Sequence, residues 1–258
     1  TDDVWVSPLG SDYTGLATQN NPIKTIKYAL EIIAPSEDNI ITIHLDEGTY
    51  SPSLTGETFS INMISNVNLI GAGQELTILD AEQTDRVITL DYCENNIISD
   101  LTITGGQAVG DYPDNRGGGM YLYGSNPILT NVIISDNMAY DDGGGMYLYF
   151  SNPTLNNVTI SNNTAYDYGG GMNLYSSHPT LTNVTISNNT GDYGGGMLLL
   201  FSNPTLNNVT ISNNTANWGG GMYLWDSHPT LNNVTISNNT VEYSGGGMYL
   251  RNSNPTLT

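Results

Sequence analysis

The sequence predicts an all-β chain wound into a right-handed parallel β-helix (solenoid), with a short helical cap at its N-terminal end. Three observations predict it. A block of 25 or 26 residues recurs, apolar and polar residues alternate within it, and Gly, Asn and Pro punctuate it at constant places. Gly-Gly-Gly-Met closes on Met120, Met146, Met172, Met197, Met222 and Met248, and Pro127, Pro153, Pro179, Pro204, Pro229 and Pro255 keep the same steps. A fixed period of this length marks stacked repeats, none of which can bury its apolar face alone. Length varies in one place only, as Thr164-Ala-Tyr-Asp-Tyr168 against Thr190-Gly-Asp-Tyr193 shows. That place is the loop.

Taken in chain order, residues 1–60 read as the cap. Pro22 to Ile33 carries apolar residues at Ile23, Ile26, Leu30 and Ile33 with proline at the start, a short amphipathic helix. Residues 61–258 read as coils continuous with the cap. The first are degenerate: Asn66-Val-Asn-Leu-Ile-Gly-Ala-Gly73 and Asp100-Leu-Thr-Ile-Thr-Gly-Gly106 echo the later Asn-Val-Thr-Ile-Ser-Asn. Residues 107–116 form a longer loop, and regular repeats begin at about 117. There, Met146 and Leu148 point one way and Tyr147 and Tyr149 the other; Val158 and Ile160 oppose Thr159 and Ser161. Stacked at the usual interstrand spacing, the Met, Leu, Val and Ile positions become core columns. Asn157 and Asn162, with their equivalents, are expected to stack as amide ladders at bends. The chain stops in mid-repeat at Asn254-Pro-Thr-Leu-Thr258, which suits a truncated protein or an uncapped end that stacks on a partner.

Composition narrows the function classes. Five Lys plus Arg against 25 Asp plus Glu give a formal charge of -20, so nucleic acid and anionic membrane surfaces are poor partners. No run is long and apolar enough to insert in a membrane. The single cysteine, Cys93, rules out an internal disulfide framework. A polar, weakly charged chain without a leader, opening directly on structured-looking sequence, suits a mature secreted or cell-surface protein.

The candidate binding residues are aromatic. Tyr121, Tyr123, Tyr147, Tyr149, Tyr175, Tyr223, Trp225 and Tyr249 fall in two columns beside the Met positions, on the outward face of one sheet. Rings with polar tips suit sugar stacking and protein interfaces alike; alternatively, the loop aromatics (Tyr140, Tyr166, Tyr168, Tyr193, Trp218, Tyr243) fold over that face. An acidic column, Asp141, Asp142, Asp167 and Asp192, reads as a solvated edge, a Ca2+ site between adjacent loops, or a carboxylate pair for hydrolysis. Ca2+ is the only cofactor the residues suggest. The basic residues Lys24, Lys27, Arg86, Arg116 and Arg251 do not fall together by register. His178 and His228 replace Asn before proline and lie two coils apart, too far to share a metal. Thr159, Thr185, Thr210 and Thr235 make a flat column of the kind that orders water in ice-binding solenoids, although Thr is also a good strand former. The Asn-X-Thr sequons read as by-products of the repeat.

Two segments carry a family resemblance. Val4-Trp-Val-Ser-Pro-Leu-Gly-Ser-Asp12, Asn21-Pro-Ile-Lys-Thr-Ile-Lys-Tyr-Ala29 and Gly48-Thr-Tyr50 resemble the N-terminal cap of bacterial pectate-lyase-like β-helix proteins. Gly-Gly-Gly-Met-Tyr-Leu with Ser-Asn-Pro-Thr-Leu-Asn-Asn-Val-Thr-Ile-Ser-Asn-Asn-Thr is similar to repeats of bacterial surface β-helix proteins, including chlamydial polymorphic outer-membrane proteins. The resemblance covers nearly the whole chain. It implies the fold, but the superfamily spans lyases, hydrolases, epimerases, adhesins and tailspikes. The reading is therefore a non-catalytic extracellular structural or adhesive protein: a stalk, adhesin or filament subunit. Its partners are other protein chains, packed laterally or end to end, or cell-surface glycans. The alternative is a carbohydrate-active enzyme working at loop 107–116 with acids such as Asp111 and Asp114; a third is an ice-binding solenoid.

Overall fold

The computed structural model describes residues 3–258; Thr1 and Asp2, which open the expected cap, lie outside the described residues. The chain climbs as a parallel β-helix in which each coil sets the same residue over its copy. One face is an eight-stranded parallel sheet, from Ile61–Asn62 and Ile88–Asp91 through Met120–Tyr123, Met146–Tyr149, Met172–Tyr175, Met197–Leu200 and Met222–Trp225 to Met248–Arg251. Its register is strict: Met120 pairs with Met146, Met146 with Met172, Met172 with Met197. A 15-stranded sheet forms a second face, typified by Thr154–Ser161. A narrow third face runs through Gln107–Ala108, Met138–Ala139 and Thr164–Ala165.

The core columns fall where alternation places them. Met146, Leu148, Leu155 and Ile160 are fully buried, as are their copies in the neighbouring coils. Met248 is only partly buried and Leu250 is exposed, because the last coil has a neighbour on one side only. The triple glycine makes the corner. Its first member takes a left-handed conformation, φ 68° at Gly143. Its second leaves no room for a side chain: a Cβ on Gly144 would stand 2.4 Å from the Thr164 carbonyl oxygen of the next coil.

Polar ladders hold the corners, and they correct the expected one. Asn157 and Asn162 are bend residues, both left-handed and both exposed. Asn157 joins an outward ladder, donating Nδ2 to Asn131 Oδ1 at 3.3 Å. The buried ladder lies one residue beyond Asn162, at Asn137, Asn163, Asn189, Asn214 and Asn239. Asn163 Oδ1 accepts from the backbone N–H and the Nδ2 of Asn137, each at 3.0 Å, and Asn163 Nδ2 donates to the Ile134 carbonyl at 2.9 Å. At the corner after the Met strand, Ser151 Oγ accepts from the Ser125 N–H at 3.1 Å and donates to the Tyr149 carbonyl at 3.0 Å. Buried polar groups demand such pairing, and the repeat supplies it from identical neighbours.

The N-terminal helix is shorter than expected. It runs Ile26–Ile32, capped by the Thr25 hydroxyl, which accepts from the Tyr28 N–H at 3.2 Å. Pro22 and Ile23 stay outside it, because Ile23 bridges to Val6 in extended form. Ile26 and Ala29, not Leu30 and Ile33, are its buried residues. The buried Glu57 carboxylate accepts the Ile26 and Lys27 N–H groups at 2.6 and 3.1 Å; burial pushes its pKa up and these bonds pull it back. Coil stacking also starts before residue 61: Asp3–Val6 pairs with Ile41–Leu45, which pairs with Val67–Ile70.

Candidate functional site

The expected outward aromatic face divides into floor and wall. Tyr147 and Tyr223 are buried, Tyr147 with only 2% of its surface exposed, so that column is a floor and not an open surface; Tyr121, also buried, lines a separate cleft. Tyr249 continues the floor, half-buried. Tyr149, Tyr175 and Trp225 stand half-exposed as one wall, and Tyr123, half-exposed in the same column, lies outside the groove. The loop residues Tyr168, Tyr193 and Trp218 rise as the other, joined to the floor by edge-on contacts of Tyr193 with Tyr223 and Trp218 with Tyr249, both 5.4 Å between centroids. Between the walls lies a groove of ≈ 610 Å³ running along the helix axis.

The floor is interrupted. Tyr121 stacks on Tyr147 at 5.6 Å, and Tyr223 on Tyr249 at 5.0 Å. Between these pairs the same register positions hold Asn173 and Leu198. Smaller side chains there hollow the groove at its middle.

One end of the groove is closed by the loop after Ala108. Arg116 donates Nε and Nη2 to Asp141 Oδ2, both at 2.8 Å, and its Nε stands 2.9 Å from Asp142 Oδ2. Its Nη1 donates to the Tyr147 hydroxyl at 3.0 Å, and the guanidinium lies over the Tyr112 and Tyr147 rings. Asp142 is buried, and its Oδ1 has no partner. Burial, opposed by Arg116 and reinforced by Asp141 and Asp167, pushes its pKa up to about 7. At the far end Arg251 packs over the Trp225 ring at 3.9 Å.

The basic residues stay apart: Arg116 and Arg251 line opposite ends of this groove, while Arg86 and Lys27 line a second cleft of ≈ 760 Å³ beyond the loop. Arg86 is buried and anchors that loop, donating Nη2 to the Pro113 carbonyl at 2.7 Å, with Asp114 3.9 Å away. Arg116 covers Asp141 and Asp142, the Asn217 amide donates to Asp192, and among the described residues no three His, Cys, Asp or Glu groups converge. Asp167 keeps a raised pKa, mainly through burial and then the neighbouring Asp141. Thr159, Thr185, Thr210 and Thr235 align on the 15-stranded sheet, away from the groove.

The match to known proteins follows the architecture. A family model described as a right-handed β-helix region matches residues 60–229. No curated protein matches the chain. Among solved structures, it is similar to a pectin methylesterase from Yersinia enterocolitica, with 13% identity, a TM-score of 0.55 and 90% of each chain covered. It is also similar to a pectin methylesterase in complex with a hexasaccharide, with 14% identity, a TM-score of 0.53, and 91% of this chain and 78% of that one covered. Pectate lyase Pel9A gives 16% identity and a TM-score of 0.52 over 99% of this chain and 76% of that one. At such identities the likeness is one of fold. With the family match extending over more than half of its length, the chain belongs to the right-handed β-helix family.

Proposed function

We propose that this is an extracellular β-helix protein that holds a polysaccharide chain along its aromatic groove without turning it over, as an adhesive or scaffolding component of a cell surface. The observation that carries this is the pair of facing aromatic walls, Tyr149, Tyr175 and Trp225 against Tyr168, Tyr193 and Trp218. Ring faces at coil spacing suit the apolar faces of successive sugars, and the groove runs along the axis past several coils, as a chain requires. The solved neighbours named for pectin and pectate processing support a carbohydrate occupant. A binding role, not a catalytic one, is supported by Arg116, whose charge is already spent on Asp141 and Asp142. A glycan array with wild type and Trp225→Ala tests this. Retention of polysaccharide by wild type and its loss in the variant is expected; equal binding by both overturns the groove reading.

A second reading rests on Asp142. A carboxyl with a pKa near 7 inside a groove is in the range of a general acid. Release of product from a polysaccharide by wild type, lost in Asp142→Asn, would replace the binding role with a catalytic one.

A further inference from the structure

The break in the tyrosine floor selects the occupant. Asn173 is only 3% exposed and lines the groove, and its carboxamide, which makes no hydrogen bond with any described residue, faces the groove space. Every other buried Asn of the regular repeats (Asn137, Asn163, Asn189, Asn214) belongs to a saturated ladder. An amide that faces the groove with no protein partner is free to pair with whatever displaces water there. Leu198 stands beside it in the next coil, and Leu200 takes the wall place that Tyr175 and Trp225 fill on either side. The hollow therefore offers one donor, one acceptor and an apolar pad at one spot, framed by aromatic walls.

We propose that this hollow is a subsite for the acetamido group of an N-acetylated hexosamine within an uncharged polysaccharide, an inference that rests on the groove being a glycan site. A hydroxyl would satisfy the Asn173 amide but leave the leucine pad empty. A carboxylate would accept from the amide Nδ2 but leave Oδ1 unpaired, and it would approach Asp142 in a protein of formal charge -20. A secondary amide with its methyl group fits all three: N–H to Asn173 Oδ1, C=O to Asn173 Nδ2, methyl against Leu198.

The repeat itself provides the test. Asn173→Tyr installs the residue that Tyr147 and Tyr223 carry at the same register position, so it fills the hollow with a side chain this floor already accommodates. Leu198→Tyr does the same one coil on. Wild type, both variants and Trp225→Ala are applied to an array of N-acetylated, unsubstituted and uronate-containing chains, with thermal melts to verify folding. The expected result is wild-type binding confined to N-acetylated chains. Either tyrosine variant should lose about tenfold or more in affinity while melting at or above wild type. Binding of unsubstituted or uronate chains, or N-acetyl binding that survives both tyrosine variants while Trp225→Ala removes it, overturns the subsite and leaves the groove reading standing. Binding to no chain at all overturns both.

Discussion

Asn203 donates its backbone N–H to Nδ1 of His178 at 2.9 Å. Asn152 Oδ1 makes the same bond to the His178 N–H one coil earlier, and His228 repeats it with Asn254 at 3.0 Å. The two histidines are thus rungs of an Asn ladder: the imidazole Nδ1 sits two bonds from Cβ, where the amide Oδ1 sits, and accepts provided that it is unprotonated. His178→Asn should leave the melting temperature unchanged. His178→Ala should cost about 0.5–1 kcal/mol, since the freed N–H is exposed and can turn to water. Equal melting of His178→Ala and wild type would show that the rung contributes nothing.

The buried ladder is less forgiving. Asn163→Ala removes the acceptor for two Asn137 donors and the donor to the Ile134 carbonyl, all buried. A loss of about 3–5 kcal/mol is expected, read from urea midpoints. Asn157→Ala on the exposed ladder should lose far less, and a comparable loss at both positions would contradict the burial argument.

Close stacking makes the corner glycines unequal to other glycines. Gly144→Ala places a methyl 2.4 Å from a backbone oxygen, whereas Gly56, at φ 77°, has open space around it. The first should cost about 3 kcal/mol or more and the second only about 1 kcal/mol of left-handed strain. Thermal melts of the two variants decide it; a smaller cost at Gly144 would mean that the coils separate readily.

Asp142 predicts a pH dependence. Its folded pKa of about 7 lies above the ordinary carboxyl value of about 4, so the folded state holds the proton more tightly. The stability linked to this group is full below about pH 4 and falls as pH rises to about 7. Asp142→Asn removes the charge and keeps the shape, leaving Arg116 its bond to Asp141. At pH 8 it should be more stable than wild type by on the order of 1–4 kcal/mol, and the difference should shrink toward pH 4. Urea midpoints at pH 4, 6 and 8 that keep a constant offset would refute the assignment.

The regular part of the molecule was legible because its physics is local and repeated. Met146, Leu148, Val158 and Ile160 face inward since strands alternate, and their copies coincide since the period holds. The buried Asn ladder was misplaced by one residue because alternation stops at a bend: with Asn162 in the left-handed conformation, the inward side passes to Asn163. The start of the helix was missed because a bridge to Val6 holds Ile23 extended against its helical spacing.

By itself, then, the sequence determined the β-helix, its core columns and its corners, because each follows from a pattern that every coil repeats. Tertiary structure alone decided the groove. Tyr147 is floor and Tyr149 is wall only because the loop carrying Tyr168 folds over the sheet, and Arg116 meets Asp141 and Asp142 only because a non-repeating loop crosses the edge. Asn173 and Leu198 were visible as departures from tyrosine; that they leave a hollow with an unpaired amide depends on the side chains that enclose it, and no period encodes that enclosure.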